Sequence, residues 1–131
     1  MQPSRFLADS GRLGRFDPNV EQESEQRPMI TAIVLYDLPP SIGLDECREH
    51  FTRIAPDFLE APGFVRKQFI CGREGGVAGG VYMWETQNDA EAFYTGPWRD
   101  GIRARYGNDP KIQYFETVAL TDKASGKAGA I

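Results

Sequence analysis

The apolar residues between positions 30 and 120 follow two patterns, and the order of these patterns limits the fold more than any other feature of the sequence. Short stretches rich in apolar, β-branched and aromatic residues, bounded by turn residues, lie at 30–37, 64–71, 77–85 and 111–120 and predict four strands. Apolar residues recur at helical spacing after the first strand and again after the third. We therefore expect the ferredoxin-like βαββαβ order, an α+β fold whose four-stranded antiparallel sheet carries its helices on one face.

The first predicted helix begins at Ser41 or Gly43, and Pro56 bends or ends it near its last turn. An apolar stripe runs along this helix, made of Leu44, Cys47, Phe51, Ile54 and Phe58. A helix with one apolar stripe packs that stripe against another element. We expect this one to cover part of the sheet.

The third predicted strand combines large aromatic residues with glycines. Alternation places Tyr82 and Trp84 on the same face of the strand. Gly79 and Gly80 weaken a strand interior, so they indicate that another part of the molecule approaches this backbone closely.

The segment after this strand predicts a helix, a break and a second helix. Thr86, followed three residues later by Asp89, is a capping pattern for the first helix. The pair Gly96-Pro97 interrupts it, and proline suits the first turn of the second helix. Three residues of the second helix share one face: Trp98, Ile102 and Tyr106. Gly107 fits its C-cap.

Several of the predicted strands are apolar on both faces, although only one face can pack against the helices. An antiparallel sheet with a solvated face is polar on that face. We therefore expect the open face to be covered by the same face of a second copy, since two-fold self-association is the commonest arrangement of this kind. The predicted assembly is a homodimer whose two sheets form a barrel.

The composition excludes several classes of protein. The chain has 131 residues and a net charge of −4, which fits one domain and argues against nucleic acid as a partner. It contains no apolar run long enough to cross a membrane and no apolar segment typical of a secretory signal. Two cysteines do not make a disulfide framework, so we expect reduced thiols and a cytoplasmic protein.

Three regions are predicted from composition along the chain. Residues 1–28 carry mixed charge, glycine, proline and few large apolar residues, and we interpret them as a flexible N-terminal extension. Residues 29–122 form the folded domain, and residues 123–131 are predicted to be a flexible tail. Met29 directly precedes the first strand and is a candidate for the native start.

Three stretches of the sequence resemble a known family: ITAIVLYDLP at 30–39, PGFVRKQFI at 62–70 and VAGGVYMWETQNDAEAFYTGPWRDGIRARYG at 77–107. Over roughly residues 29–122 the chain resembles the YdhR-like monooxygenases of the dimeric α+β barrel superfamily. That superfamily also includes cofactor-free antibiotic-biosynthesis monooxygenases and muconolactone-isomerase-like enzymes. The resemblance implies a dimer and the oxygenation of a small aromatic or polyketide-like compound without metal or flavin.

The candidate site residues surround a predicted pocket. His50 lies at the edge of the apolar stripe, where it acts as a base or is simply half-exposed. Tyr82 is the second candidate for proton transfer. The residues expected to enclose the substrate are Tyr36, Trp84, Phe93, Trp98 and Tyr106; the alternative for each is ordinary core packing.

Two adjacent basic residues, Arg66 and Lys67, point to opposite faces of the second strand. Whichever faces the pocket can hold an anionic or enolate oxygen of the substrate. The alternative is a solvated edge or a salt bridge within the dimer. The pattern of the strand does not decide between the two residues.

No metal site is predicted, because His50 is the only histidine and no cluster of cysteines and histidines accompanies it. The leading hypothesis is a cofactor-independent monooxygenase. A second enzyme class is an isomerase or cyclase that only transfers protons in the same pocket. The third possibility is a dimer that binds a small molecule without catalysis, as in a sensor or stress-response module.

Overall fold

The computed structural model describes residues 29–131. Four strands form the main sheet, β1 (Ile30–Asp37), β2 (Phe64–Cys71), β3 (Val77–Trp84) and β4 (Lys111–Glu116), and a separate hairpin contains β5 (Ala119–Asp122) and β6 (Lys127–Ala130). The α-helices are α1 (Leu44–Ile54), α2 (Gln87–Phe93) and α3 (Gly96–Tyr106), and a 3₁₀ turn, Ala55–Phe58, follows α1. The predictions made for residues 1–28 lie outside the described residues.

The main sheet has the strand order β2-β3-β1-β4, and every neighbouring pair is antiparallel. β1 is central, with Ile30 opposite Trp84 of β3 and opposite Glu116 of β4. Together with the helices, this topology confirms the predicted ferredoxin-like α+β fold.

The helices cover one face of this sheet, which we call the inner face. Ala32, Val34 and Trp84 of the sheet are 0–1% exposed and pack in one cluster with residues of the helices, among them Cys47 and Tyr94. Burial of these side chains supplies most of the driving force for folding.

The close approach predicted at Gly79 is present in the sheet. A Cβ atom at position 79 would lie 1.8 Å from the carbonyl oxygen of Val34 on the neighbouring strand. At position 80 it would lie 2.6 Å from Cε of Lys67. The glycines therefore let β1 and the Lys67 side chain pack against the backbone of β3.

The ends of the helices follow the predicted signals. The Thr86 hydroxyl accepts a hydrogen bond from the Asp89 amide at 3.0 Å, which caps α2. Pro97 lies in the first turn of α3, and Gly107 ends that helix in the left-handed conformation with φ of 83°. The first helix begins after Gly43, whose amide donates to the Glu46 side chain at 2.9 Å.

The C-terminal segment differs from the prediction. We expected one strand at 111–120 followed by a flexible tail at 123–131, but β4 ends at Glu116 and residues 119–130 form the β5–β6 hairpin. The alternation continues past Glu116, so periodicity alone does not show where the sheet partner ends. Every residue of β6 is exposed, and its one lysine, two alanines and one glycine give no strand signal, since none is large and apolar, β-branched or aromatic.

The face of the sheet opposite the helices, which we call the open face, bears apolar side chains in all four strands. Strand register and alternation place on it Ile33, Leu35, Ile70, Val81, Met83 and Phe115. Leu35 is 37% exposed and Phe115 is 47% exposed. Within residues 29–131, no helix packs on this face.

Candidate functional site

A cavity of about 670 Å³ lies between the inner face of the sheet and the helices. Helices α1 and α3 form its sides, and β1, β2 and β3 supply residues of the sheet. This volume is in the range of cavities that bind small organic ligands. Seven of the predicted site residues line it: Tyr36, His50, Lys67, Tyr82, Phe93, Trp98 and Tyr106.

The two other predicted residues do not line the cavity. Trp84 is 0% exposed, and its Nε1 donates a hydrogen bond to the Tyr94 hydroxyl at 3.0 Å. The Trp84 ring packs against Phe64 and Phe93 with centroids 5.6 and 5.2 Å apart, so its place is in the core. Arg66 is exposed and pairs with Met83, which puts it on the open face.

A β-bulge decides which basic residue of β2 faces the cavity. Phe64 pairs with Trp84, but the next pair is Arg66 with Met83, so Val65 is the extra residue. One inserted residue reverses the alternation that follows it. Lys67 therefore pairs with Tyr82 on the inner face and points into the cavity.

The amine of Lys67 is surrounded by aromatic rings. Its Nζ lies 3.7 Å from the ring centroid of Phe69, 3.9 Å from that of Phe58 and 4.4 Å from that of Tyr82. Within residues 29–131, Lys67 forms no ion pair. Burial lowers the pKa of Lys67 to about 7. The ring faces attract the ammonium form and oppose this decrease, so both forms are present near neutral pH.

His50 is a neutral group at the edge of the cavity. Burial lowers the pKa of His50, and the positive charges of Arg105, Arg53 and Lys67 lower it further. The Arg53 guanidinium donates to Nδ1 of His50 at 3.3 Å. Because arginine only donates, Nδ1 is unprotonated and the ring proton is on Nε2. In this arrangement His50 offers a hydrogen-bond donor.

Two tyrosines of the cavity, Tyr82 and Tyr36, remain protonated phenols. Burial raises the pKa of Tyr82, and the Trp98 side chain reduces this effect only in part. Tyr36 stacks on Tyr106 with centroids 4.4 Å apart, and burial raises the pKa of Tyr36 as well. These hydroxyls can donate hydrogen bonds to a ligand but are poor bases at neutral pH.

Two charged residues of the cavity were not among the predicted site residues. Arg105 lies in the last turn of α3, where a basic residue also complements the helix dipole. Asp57 lies in the 3₁₀ turn, where no periodic pattern identifies the direction of a side chain. The signal that was available for Arg105 is its spacing, three residues after Ile102 and seven after Trp98, which places it on the same side of α3 as these cavity residues.

Over the described part of the chain, no group of three or more histidine, cysteine, aspartate or glutamate residues is placed to hold a metal ion. In the same range, no helix combines the length and the apolar character needed to cross a membrane.

The family is shown by the sequence comparison. Residues 36–116 match the family described as "Putative mono-oxygenase ydhR". The chain belongs to the YdhR family of monooxygenases. This confirms the resemblance found in the sequence. No curated protein has a matching sequence.

Solved structures show the same fold at low sequence identity. A "putative antibiotic biosynthesis monooxygenase" from Caulobacter crescentus is 16% identical, with a TM-score of 0.54 over 74% of this chain and 98% of that chain. SnoaB, a cofactor-independent oxygenase from Streptomyces nogalater, is 18% identical, with a TM-score of 0.53 over 69% and 93%. The ActVA-Orf6 monooxygenase from Streptomyces coelicolor, in complex with Nanaomycin D, is 15% identical, with a TM-score of 0.52 over 74% and 93%.

Proposed function

We propose that this YdhR-family protein is a cofactor-independent monooxygenase that acts on a small aromatic or polyketide-like phenol. The observation that carries the proposal is the cavity, in which Lys67 and His50 meet an aromatic wall. Two proteins of similar fold support it: a cofactor-independent oxygenase, and a monooxygenase in complex with Nanaomycin D.

The proposed reaction begins with transfer of the phenolic proton of the substrate to the Lys67 amine. The phenolate reduces O₂ by one electron, and the two radicals combine at the ring carbon para to the phenolate, forming a C–O bond. The resulting peroxide takes up a proton. Loss of the hydrogen from the same carbon then breaks the O–O bond, leaving a quinone carbonyl and one water. Four electrons leave the substrate and four reduce O₂, so no other reductant is required.

The cavity residues have distinct roles in this reaction. Lys67, once protonated, holds the phenolate oxygen, and its three ring contacts stabilise the ammonium form. The Nε2–H of His50 and the hydroxyl of Tyr82 donate to the developing peroxide. Tyr36, Phe93, Trp98 and Tyr106 enclose the ring of the substrate and limit the access of water.

Oxygen uptake with 1,8-dihydroxyanthrone tests the proposal, because the enol form of this compound is a phenol with a hydrogen on the para carbon. We expect His50→Leu to lower kcat/KM about a hundredfold, because it removes the ring N–H and supplies no other donor. Glu49→Gln, an exposed change on the same helix, is the matched control.

The assay is run after dialysis against EDTA and without added flavin, and the rate without protein is subtracted. One quinone formed for each O₂ consumed supports the proposal. Tight binding without oxygen uptake by the folded protein contradicts it and favours a binding role. Equal rates for His50→Leu and the wild type exclude His50 from the reaction.

We further propose that the protein is a homodimer joined through the open face. The apolar side chains on that face are those of a sheet that packs against another surface. The β5–β6 hairpin also has few neighbours within the described residues, and a two-stranded hairpin alone is marginally stable in water. A second copy that covers both features explains them together.

The free thiols of Cys47 and Cys71 fit the proposed cytoplasmic location.

The double substitution Leu35→Lys/Phe115→Lys tests this interface by light scattering after size-exclusion chromatography. Both side chains are more than a third exposed in the single chain, so the lysines are compatible with its fold. We expect the wild type to have twice the mass of the chain and the double variant to be a monomer. Leu59→Lys, at a 71% exposed residue outside the sheet, leaves the dimer intact. A monomeric wild type overturns the proposal.

A further inference from the structure

The amine of Lys67 has different surroundings from the amines of the other three lysines of the chain. Lys111, Lys123 and Lys127 are exposed to solvent, whereas Lys67 is partly buried and lines the cavity. An amine that faces an apolar cavity meets any ligand bound there at close range. Its reactivity therefore depends on the cavity, and that of an exposed lysine does not.

The groups around Lys67 leave its amine without a permanent negative partner in the described residues. Tyr82 of β3, His50 of α1, Asp57 of the 3₁₀ turn and Arg105 of α3 face the same cavity. The phenol and the imidazole are neutral, and no contact of Asp57 within ion-pair distance of Lys67 is recorded in residues 29–131. An amine without a carboxylate partner deprotonates more readily.

We propose that Lys67 is a covalent binding site for aromatic aldehydes and ketones, which condense with its amine in the cavity to form an imine. This inference concerns the reaction of a carbonyl compound and does not depend on the proposed oxygenation. Ligands of the expected class are flat and apolar, because the rings of Phe58, Tyr82 and Phe93 line the cavity on the side of Lys67.

The reaction balances without an oxidant or a reductant. The lone pair of Nζ attacks the carbonyl carbon and forms a C–N bond while the C=O π pair moves to oxygen. One proton moves from nitrogen to that oxygen, which gives a neutral carbinolamine. The second proton of the nitrogen then moves to the hydroxyl group, and the C–O bond breaks to release water while the nitrogen lone pair forms the C=N bond. Burial lowers the pKa of Lys67 to about 7, so the nucleophilic amine is available at neutral pH. The His50 N–H and the Tyr82 hydroxyl can assist the departure of water.

The test uses 2-hydroxy-1-naphthaldehyde with sodium cyanoborohydride, which reduces the imine to a stable amine, followed by peptide mapping. The experiment is done under nitrogen, so oxygen chemistry does not contribute. At pH 7 we expect Lys67 to be labelled at least about tenfold faster than each exposed lysine, since a lysine of ordinary pKa is almost fully protonated there. The terminal α-amine titrates near pH 8 and is mapped separately.

Two controls separate a cavity reaction from general reactivity. An excess of 2-naphthol, which has the same ring system but no carbonyl, is expected to slow labelling of Lys67 and to leave Lys111, Lys123 and Lys127 unchanged. Lys67→Arg keeps the positive charge and removes the reactive amine, so the label at position 67 disappears from the peptide map while the slow labelling of the three exposed lysines remains. The comparison among lysines of the wild type needs no variant and is independent of any folding defect.

Labelling of Lys67 at the rate of the exposed lysines overturns the proposal. Labelling that 2-naphthol does not slow also overturns it, because the reaction then does not take place in the cavity. A protein that labels selectively at Lys67 but consumes no oxygen with phenols retains this inference and loses the proposed oxygenation.

Discussion

Replacing Trp84 with alanine is expected to lower the free energy of unfolding by about 3–5 kcal/mol, the cost of removing a large aromatic side chain from a core. The indole is 0% exposed and packs against Phe64, Phe93 and Tyr94. Its loss leaves a cavity and removes the donor to the Tyr94 hydroxyl. Urea denaturation followed by circular dichroism measures the change.

Trp98→Ala is the matched control for this prediction. Trp98 is partly buried and lines the cavity, so its removal opens space that is already accessible to a ligand. We expect a smaller loss of stability, about 1–2 kcal/mol, together with weaker ligand binding. Equal destabilisation by the two substitutions would show that Trp98 belongs to the core and contradict its role in the cavity.

Lys67→Met is expected to stabilise the protein at pH 7 by about 2 kcal/mol, and this gain is expected to shrink as the pH rises toward 9. Burial lowers the pKa of Lys67 from its ordinary value of 10.5 to about 7 in the folded protein. Between these values the unfolded chain binds more protons than the folded one, so the wild type becomes more stable as the pH rises. Below pH 7 the free-energy cost of burying the charged amine of Lys67 is constant, and methionine removes that cost.

Urea denaturation of both proteins between pH 6 and 9, at one protein concentration, measures this dependence. The pH range ends at 9 because burial raises the pKa of Cys47 to about 11. At higher pH this thiol ionises more readily in the unfolded chain than in the folded one, which lowers the stability of the protein. Lys123→Met, in the exposed turn of the C-terminal hairpin, is the control and should not change the slope. A Lys67→Met protein that is less stable than the wild type at pH 7 would show that the ring contacts outweigh the burial of the amine.

Local patterns predicted the parts of the fold that depend on nearest neighbours in sequence. The caps at Thr86 and Gly107 depend on hydrogen bonds within one turn, so the residue types were sufficient to identify them. The second strand of the C-terminal hairpin was missed because its residues, KAGA, include no large apolar, β-branched or aromatic side chain.

Aromatic residues of the third strand show the limit of a periodic pattern. Tyr82 and Trp84 share one face, as alternation predicts, but only Tyr82 lines the cavity. Alternation shows which side chains of a strand share a face. The position of a cavity depends instead on where the helices leave space above that face. Helix α2 and Tyr94 fill the space above Trp84.

The sequence by itself determined the order of the elements, the face of each aromatic residue in β3 and the membership of the YdhR family. Only the tertiary structure shows that Lys67, and not Arg66, faces the cavity. β2 pairs with β3 both before and after the extra residue Val65, which therefore forms a bulge. This bulge turns Lys67 toward the cavity and Arg66 away from it. A bulge depends on the register between two strands, which the alternation within one strand does not contain.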